Sequence, residues 1–382
     1  MLHHASRHRR WRVTPSRWRR TDECTSMPAR SGAEPAGARR SRKHGRLSTM
    51  RIGVIGFGYW GPNLVRNLAE MDGVQLRWCA DIRADRRDLA KRRYPFVDVT
   101  DKAEDIFADR SVEAVVIATP VLTHYRLARA ALERGKHVLI EKPMTATVTE
   151  AEQLLELAER KGVVLMVDHT FIYTGAVRKM KELIDAGELG ELQYLDAVRV
   201  NLGLFQHDID VLWDLAPHDL AILDHLVPET PKSVSVIGAD HTGSGFSDVA
   251  YMTVQFANNF LAHLHVNWLS PVKIRQMLIG GSRRMVVYND MEPSEKVRVY
   301  DRGVRVGTED GIYRTLVDYR MGDMTAPKLD NREALAVECE HFRECVRSNA
   351  VPLSNAAAGL RVVRLLEAGA RSLAAGGERV AL

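Results

Sequence analysis

Short, continuously apolar runs alternate with amphipathic runs from residue 50 to about residue 170. An uninterrupted apolar run predicts a strand buried on both faces, whereas apolar residues at every third or fourth position predict a helix. The predicted strands are 51–55, 75–80, 97–99, 112–118, 137–140 and 163–167. The predicted helices between them are 63–70, 85–92, 124–134 and 149–160. This alternation predicts a parallel sheet with helices on both faces.

The pattern changes after residue 170, where β-rich runs follow one another with few helices between them. A helix is predicted at 177–186, and Gly187 ends it. The predicted strands that follow are 192–200, 233–237, 250–256, 261–268, 274–279, 284–288 and 297–300, and the closing helices are 332–347 and 356–373. Asn258 and Asn259 form a good hairpin turn between two of these strands. Because 382 residues are too many for one core, we expect a second domain with its own sheet.

The first 49 residues differ from the rest of the chain in composition. Residues 1–50 contain 13 Lys and Arg but only 3 Asp and Glu, which leaves 41 basic and 46 acidic residues in the remainder. The leader has no apolar periodicity, so we expect residues 1–49 to be disordered. A start codon assigned too early, with the native start at Met50, is the simpler explanation of this leader, and a transit peptide is the alternative. The folded part is mildly acidic, so nucleic-acid binding is not expected.

Other features favour a cytoplasmic protein without a metal. No apolar run is long enough to span a membrane, and no secretory signal follows the leader's arginines. The four cysteines form no C-x-x-C pair, which favours reduced thiols. Cys339, His341 and Cys345 lie close together, but residues two apart on a helix point away from each other. We therefore expect no metal site there.

The stretch GVIGFGYWG lies between the first predicted strand and the first predicted helix. Gly56, Gly58 and Gly61 fit the G-x-G-x-x-G pattern of a dinucleotide-binding turn, and Asp81 ends the next strand at the expected distance. Gly56 permits the tight turn, Gly58 lets the backbone approach the pyrophosphate, and Gly61 lets the helix pack on the strand. Asp81 would bind the adenosine ribose and repel a 2′-phosphate, so we expect NAD rather than NADP. Arg83 and Arg86 lie close to Asp81 in the sequence and would weaken this preference for NAD.

Three segments in this order, GVIGFGYWG, ATPVLTHYRLARAALERGKHVLIEKP and DLAPHD, resemble the Gfo/Idh/MocA oxidoreductases, the relatives of glucose–fructose oxidoreductase and inositol 2-dehydrogenase. The resemblance covers about residues 50–375 and looks closest to members that act on sugars or nucleotide-sugars. It implies an α/β fold, with an N-terminal Rossmann domain at 50–170 that holds NAD. It also implies a C-terminal α+β domain at 171–382, whose open, mostly antiparallel sheet binds substrate and pairs subunits into dimers or tetramers.

The same resemblance implies a catalytic set of Lys142, Asp214 and His218. Oxidising an alcohol needs a general base near the hydroxyl, and histidine suits the working pH. Lys142 follows a parallel strand, so its ammonium is expected at the ligand edge, where it would stabilise a developing alkoxide. If Asp214 is the helix N-cap, Pro217 falls in the first turn, and Asp214 shares a face with His218. Asp214 would then hold substrate or tune His218. The alternatives are that Lys142 is an ordinary surface lysine, that Asp214 is only a helix cap, and that His218 is a core histidine bonded to the backbone.

Further residues are predicted to contact the cofactor or the substrate. Besides the three glycines and Asp81, the predicted cofactor contacts are Tyr59, Trp60, Thr119, Pro120, His124, Glu141 and Lys142. His124 could equally be a solvent-facing residue at a helix N-terminus. Tyr173 is predicted to contact substrate together with Lys142, Asp214 and His218.

These observations predict an NAD(P)-dependent dehydrogenase or ketoreductase. It would move a hydride between nicotinamide and a secondary alcohol or ketone of a sugar, cyclitol or nucleotide-sugar. Two alternatives stay open: an enzyme that uses NAD transiently to cleave a glycoside, and a non-catalytic protein that senses NAD. The complete set of lysine, aspartate and histidine argues against the sensor.

Overall fold

The computed structural model describes residues 49–203, 209–301, 303–308 and 315–382. The predicted leader therefore lies outside the described residues, apart from Thr49. Two large sheets are present, one before residue 170 and one after it. The α/β fold class is thereby confirmed, while the domain boundary at residue 170 stays a prediction.

The first sheet is built from the strands that the apolar pattern predicts. They are β1 Met50–Ile55, β2 Val74–Ala80, β3 Asp98–Thr100, β4 Ala114–Ile117, β5 His137–Glu141 and β6 Leu165–Asp168. The helices among them are α1 Gly61–Glu70, α2 Ala84–Arg93, α3 Ala103–Ala108, α4 Val121–Glu133 and α5 Val148–Lys161. All six strands are parallel, in the order β3-β2-β1-β4-β5-β6. Helix α3 was missed because six residues are too few to show a period.

The strand order places a crevice between β1 and β4. Side chains of these two strands are fully buried because helices cover both faces of the sheet, as for Ile52, Val54, Val115 and Val116. The chain turns to opposite sides of the sheet after these neighbouring strands, so a crevice opens at their carboxyl ends. The glycine turn follows β1, and the loops after β4 and β5 end at the same edge.

The second half of the chain forms a nine-stranded sheet. A 3₁₀ turn at Thr170–Tyr173 and helix α6 Gly175–Asp185 precede it. The nine strands of this sheet are β7 Leu192–Leu202, β8 Pro231–Ala239, β9 Val249–Phe256, β10 Leu261–Asn267, β11 Leu269–Gly281, β12 Met285–Asn289, β13 Val297–Tyr300, β16 Met324–Thr325 and β17 Val380–Ala381, and two further strands are β14 Gly303–Thr308 and β15 Thr315–Arg320. The remaining helices are α7 Val211–Leu226, α8 Ala334–Ser348 and α9 Ala356–Ala374.

This second sheet is mixed but mostly antiparallel, as expected. Its order is β16-β13-β12-β11-β7-β10-β9-β8-β17, and only the β7–β10 pair is parallel. Strands β14 and β15 form a separate hairpin. Of the helices in the described ranges, none is both long and apolar enough to cross a membrane.

The two faces of the second sheet differ. Helices α7 and α9 pack on one face, where alternate side chains of β7, β8, β9 and β10 are buried. The other face carries exposed large apolar residues, namely Tyr194, Ile237, Tyr251, Leu261 and Ile274. The sheet therefore has one covered side, which holds α7, and one open side.

A buried ion pair fixes α7 on the sheet. Arg199 of β7 donates two hydrogen bonds to Asp219 of α7, at 2.9 and 2.7 Å. Only 4% and 7% of the two side chains are exposed. The guanidinium also lies 4.4 Å from the ring centroid of Phe171. A buried charge pair of this kind is geometrically exacting, so it restricts where α7 can lie.

Replacing Asp219 by alanine should destabilise the protein strongly, because the charge of Arg199 would stay buried without a partner. We expect a loss of about 3–5 kcal/mol in the free energy of unfolding. Urea unfolding of residues 50–382 would measure it. The control is Glu133→Ala, which removes the exposed pair with Arg129 and should cost about 0.5 kcal/mol. Equal losses in the two variants would contradict this assignment.

Candidate active site

The glycine turn after β1 has the geometry of a phosphate-binding turn. Gly56 has φ of 99°, and a Cβ there would lie 2.2 Å from the carbonyl oxygen of Ala118. A Cβ on Gly61 would lie 2.1 Å from the carbonyl oxygen of Gly56. In contrast, a Cβ on Gly58 would meet no described atom within 4 Å. The protein itself therefore requires Gly56 and Gly61, whereas Gly58 borders open space.

Helix α1 begins directly after this turn, with Trp60 as its cap residue. Trp60 supplies no side-chain acceptor to the first-turn N–H groups, and such groups at a helix N-terminus are suited to bind an anion. Its indole instead donates a 3.0 Å hydrogen bond to Asp168 at the end of β6. The neighbouring Tyr59 is 82% exposed.

Asp81 is held in place by the glycine turn. Its carboxylate accepts hydrogen bonds from the backbone N–H of Phe57 at 2.7 Å and of Arg83 at 2.9 Å. The guanidinium of Arg83 is paired with Asp85 through two hydrogen bonds. The carboxylate therefore lies beside the turn, as the dinucleotide pattern predicts, and Arg83 is engaged elsewhere.

The loops after β4 and β5 are joined by His124. Its ring nitrogens lie 2.8 Å from the carbonyl oxygen of Thr119 and 2.9 Å from that of Pro143. The side chain is only 1% exposed, so His124 braces the two loops and does not line an open groove. The prediction of a cofactor contact, and the alternative of a solvent-facing residue, are both corrected by this burial. Thr119 and Pro120 remain at the crevice, and the Lys142–Pro143 peptide is cis.

Lys142 and Asp214 meet across the two halves of the chain. The Lys142 ammonium donates to the carbonyl oxygen of Asp214 at 2.8 Å and to its carboxylate at 3.3 Å. The second carboxylate oxygen of Asp214 accepts the indole N–H of Trp268 at 3.0 Å. Both charged side chains are largely buried. Asp214 therefore binds Lys142 and Trp268.

Helix α7 begins earlier than the sequence pattern suggests. Asp210 is the N-cap, because its carboxylate accepts the N–H of Trp213 at 2.9 Å. The prediction that Asp214 is the N-cap is wrong, and Pro217 lies inside the helix. A proline there has no N–H to donate, so the carbonyl of Trp213, four residues earlier, lacks its usual helical donor. The ammonium of Lys142 bonds the next carbonyl along the helix, that of Asp214.

His218 lies one turn after Asp214 and next to aromatic and cationic groups. Its ring meets Phe171 edge to face, with 5.0 Å between centroids. Its Nδ1 is buried and has no hydrogen-bond partner among the described residues. Burial is the main cause that lowers the pKa of His218 well below its usual value, followed by the charges of Lys142, Arg199 and Arg275. His218 is therefore neutral at physiological pH.

Tyr173, predicted to contact substrate, lies in the core. It is 1% exposed, and its hydroxyl lies 3.0 Å from the hydroxyl of Ser354. Its ring packs against His341 of α8. A side chain enclosed in this way has no surface to offer a substrate, so the prediction is corrected to a packing role.

Several residues near the site were missed from the sequence. They are Asp168, Phe171, Arg199, Trp268 and Arg275, which contact or surround the predicted residues. None belongs to a short motif; four of them lie on four different elements, and Trp268 lies between β10 and β11. Only the position of Asp168 at the end of a parallel strand gave a signal, because ligand sites collect at that edge.

Comparison with known proteins gives a consistent family match. Residues 50–169 match the model described as "Oxidoreductase family, NAD-binding Rossmann fold", GFO_IDH_MocA. Residues 177–287 match the GFO/IDH/MocA C-terminal domain. The two matched segments contain the glycine turn, the loop after β5 and the start of α7.

Individual relatives match most of the chain. The chain is 31% identical to UDP-N-acetylglucosamine 3-dehydrogenase of Acidithiobacillus ferrooxidans over 323 residues, which cover 82% of this chain and 94% of that protein. It is 25% identical to the Bacillus subtilis scyllo-inositol 2-dehydrogenase (NADP(+)) IolW, over 86% and 94% of the two chains. The solved structure of the Acidithiobacillus enzyme GnnA superposes with a TM-score of 0.74 at 28% identity, over 86% and 98% of the chains.

Substituting the glycines should separate folding from cofactor binding. Gly58→Ala adds a methyl group in open space, so stability should stay within about 1 kcal/mol while NAD affinity falls by about tenfold or more. Gly61→Ala places its methyl against the Gly56 carbonyl and should destabilise the fold by about 1–3 kcal/mol. Thermal unfolding and NAD titration of both variants would check this. Unchanged NAD affinity in Gly58→Ala would contradict a pyrophosphate at this turn.

Proposed function

Since the chain belongs to the GFO/IDH/MocA family of NAD-binding oxidoreductases, we propose that it transfers a hydride between NAD and a carbinol carbon of a sugar, cyclitol or nucleotide-sugar. The observation that carries this proposal is the contact between Lys142 and Asp214, one helical turn before a neutral, half-buried His218. This contact lies at the sheet edge where the glycine turn ends. The specific sugar is open, since the matched relatives act on both nucleotide-sugars and inositols.

The site would oxidise an alcohol by removing a hydride and a proton. Bound NAD would accept the hydride. Lys142 has three N–H donors, of which two are used by Asp214, so one is left for the substrate hydroxyl. His218 is neutral and would accept the hydroxyl proton as the C=O bond forms. Because its Nδ1 is buried, Nε2 is the nitrogen that would meet the substrate.

Asp214 would act mainly through Lys142. Its carboxylate and carbonyl fix the ammonium, and Trp268 fixes the carboxylate in turn. A positioned cation beside the reacting oxygen stabilises negative charge that develops there. This role replaces the earlier expectation that Asp214 tunes the imidazole of His218.

The cofactor is proposed to be NAD in preference to NADP. Asp81 lies beside the turn with a carboxylate that would bind ribose hydroxyls and repel a 2′-phosphate. Arg83 is paired with Asp85 and is not positioned to offset that repulsion. One relative, the inositol dehydrogenase IolW, is named as an NADP(+) enzyme, so the preference for NAD needs a direct measurement.

The proposal is tested by following nicotinamide absorbance with residues 50–382. NAD and NADP would be supplied separately with polyols, sugars, sugar phosphates and UDP- or dTDP-sugars, and keto-sugars would be tested with NADH. We expect turnover with one substrate class. Lys142→Ala and His218→Ala should reduce it by about 10²–10⁴-fold while NAD still binds. Lys161→Ala, an exposed lysine near the end of α5, is the control.

Full turnover in both site variants would overturn the catalytic assignment. NAD binding with release of sugar from a glycoside, without net NADH, would indicate the transient-NAD alternative. NAD binding without any turnover would indicate a sensor.

The low pKa of His218 predicts how the rate depends on pH. The base form of His218 is required for oxidation, and burial together with nearby cations holds its pKa well below the usual value, so the acid limb of kcat/KM should lie well below the usual pKa of histidine. Arg275→Gln removes one of these cations and should move the acid limb to higher pH. A pH profile of kcat/KM for both proteins measures the shift. A limb that stays in place or moves to lower pH would contradict the assignment.

A further inference from the structure

Three carboxyl side chains meet behind the glycine turn. Glu141 ends β5, Asp168 ends β6, and the two residues are paired across these neighbouring strands. Glu338 of α8 joins them from the second half of the chain and is 0% exposed. Like charges this close and this deeply buried repel each other strongly if all three are ionised.

The hydrogen bonds around these carboxyls are unequally distributed. Asp168 accepts the indole N–H of Trp60 at 3.0 Å and the hydroxyl of Thr170 at 2.5 Å. Glu141 Oε2 accepts the backbone N–H of Lys142 at 3.0 Å. The other oxygen of Glu141 and both oxygens of Glu338 are buried and accept no hydrogen bond from any residue in the described part of the chain. Buried carboxylate oxygens left in this way are costly.

Protonation of the two glutamates removes the cost of burying carboxylate oxygens without hydrogen-bond donors. An ionised carboxylate only accepts hydrogen bonds, whereas a protonated one also donates. Burial raises the pKa of both Glu141 and Glu338 well above the usual value, and Asp168 adds to the shift in each case. Both glutamates would then donate to the carboxylate of Asp168, which already accepts hydrogen bonds from Trp60 and Thr170.

The surrounding groups supply little positive charge to offset ionised glutamates. Those that face the cluster are Lys142, His169, Tyr173 and Cys339. Lys142 is already paired with Asp214, and burial lowers the pKa of His169 to about 4, so His169 is neutral. A metal ion is no substitute, because no group of three or more His, Cys, Asp or Glu suited to a metal occurs within the described ranges.

We propose that Glu141 and Glu338 are protonated at neutral pH and donate hydrogen bonds to the carboxylate of Asp168. The cluster carries one negative charge. Asp168 directs that charge at the indole of Trp60, which caps the cofactor turn, and Glu141 holds the backbone of Lys142. The three acids are therefore positioning residues. They connect α8 to the glycine turn after β1 and to the loop after β5 that carries Lys142.

Infrared spectroscopy tests the protonation directly. The difference spectrum of wild type minus Glu338→Gln at neutral pH should contain the C=O stretch of a protonated carboxylic acid. The control is Glu344→Gln, on the same helix with 67% of its side chain exposed, which should remove only carboxylate bands. Carboxylate bands alone in the Glu338→Gln difference would overturn the proposal.

The pH dependence of stability provides a second test. A raised folded-state pKa stabilises the protein fully below the unfolded value of about 4.5, and this stabilisation is lost as pH rises towards the folded value. Relative to Glu338→Gln, the folding equilibrium constant of the wild type should therefore fall by up to tenfold per pH unit as pH rises above about 4.5. Glu344→Gln should follow the wild type. Parallel profiles for the wild type and Glu338→Gln would contradict the proposal.

The positioning role rests on the proposed NAD site and has its own measurement. Glu338→Gln keeps a donor towards Asp168 and should bind NAD within about twofold of the wild type. Glu338→Leu keeps the volume without the donor and should bind NAD about five- to tenfold more weakly. Equal affinity in the two variants would refute positioning. A wild type without NAD binding would count against the proposed function, while the infrared result would still decide the protonation.

Discussion

The contact between Lys142 and Asp214 joins the two halves of the described structure at the point where chemistry is expected. Lys142 follows a strand of the parallel sheet, and Asp214 lies in the helix that covers the mixed sheet. A largely buried cation is stable only with well-placed acceptors, so the position of the helix and that of the loop depend on each other. The buried pair of Arg199 and Asp219 holds the same helix one turn later. The site is thereby fixed on two rigid sheets.

Burial gives similar chemical groups different roles around this contact. The cations near His218 and its enclosure favour the neutral imidazole, which is the form that accepts a proton. Behind the glycine turn, burial and the neighbouring carboxyl groups raise the pKa of Glu141 and Glu338, which keep their protons in our proposal. In both places, the low polarity of the surroundings selects the uncharged state of a titratable group.

Much of the fold was predictable because the local signals agree with the final structure. Six apolar runs became six parallel strands, and the glycine turn lies between strand and helix as its motif requires. The sequence was less informative where distant residues decide. Asp214 looked like a helix cap because Pro217 disfavours a helix interior, yet Asp210 is the cap. The enclosure of Tyr173 by α8 and the contact of Trp268 with Asp214 involve residues far apart in the chain, so no local pattern reports them.

The mixed sheet has one covered and one open face, and strand parity assigns every residue to one of them. Along β7, Leu195, Ala197 and Arg199 point to the covered side, whereas Tyr194 points to the open side. Substitutions at odd and even positions of this strand therefore act on separate surfaces, so the two faces are free to diverge independently during evolution. The insertion of a single residue into β7 would not be confined to one surface. It would move every later side chain of the strand to the opposite face and carry Arg199 away from Asp219.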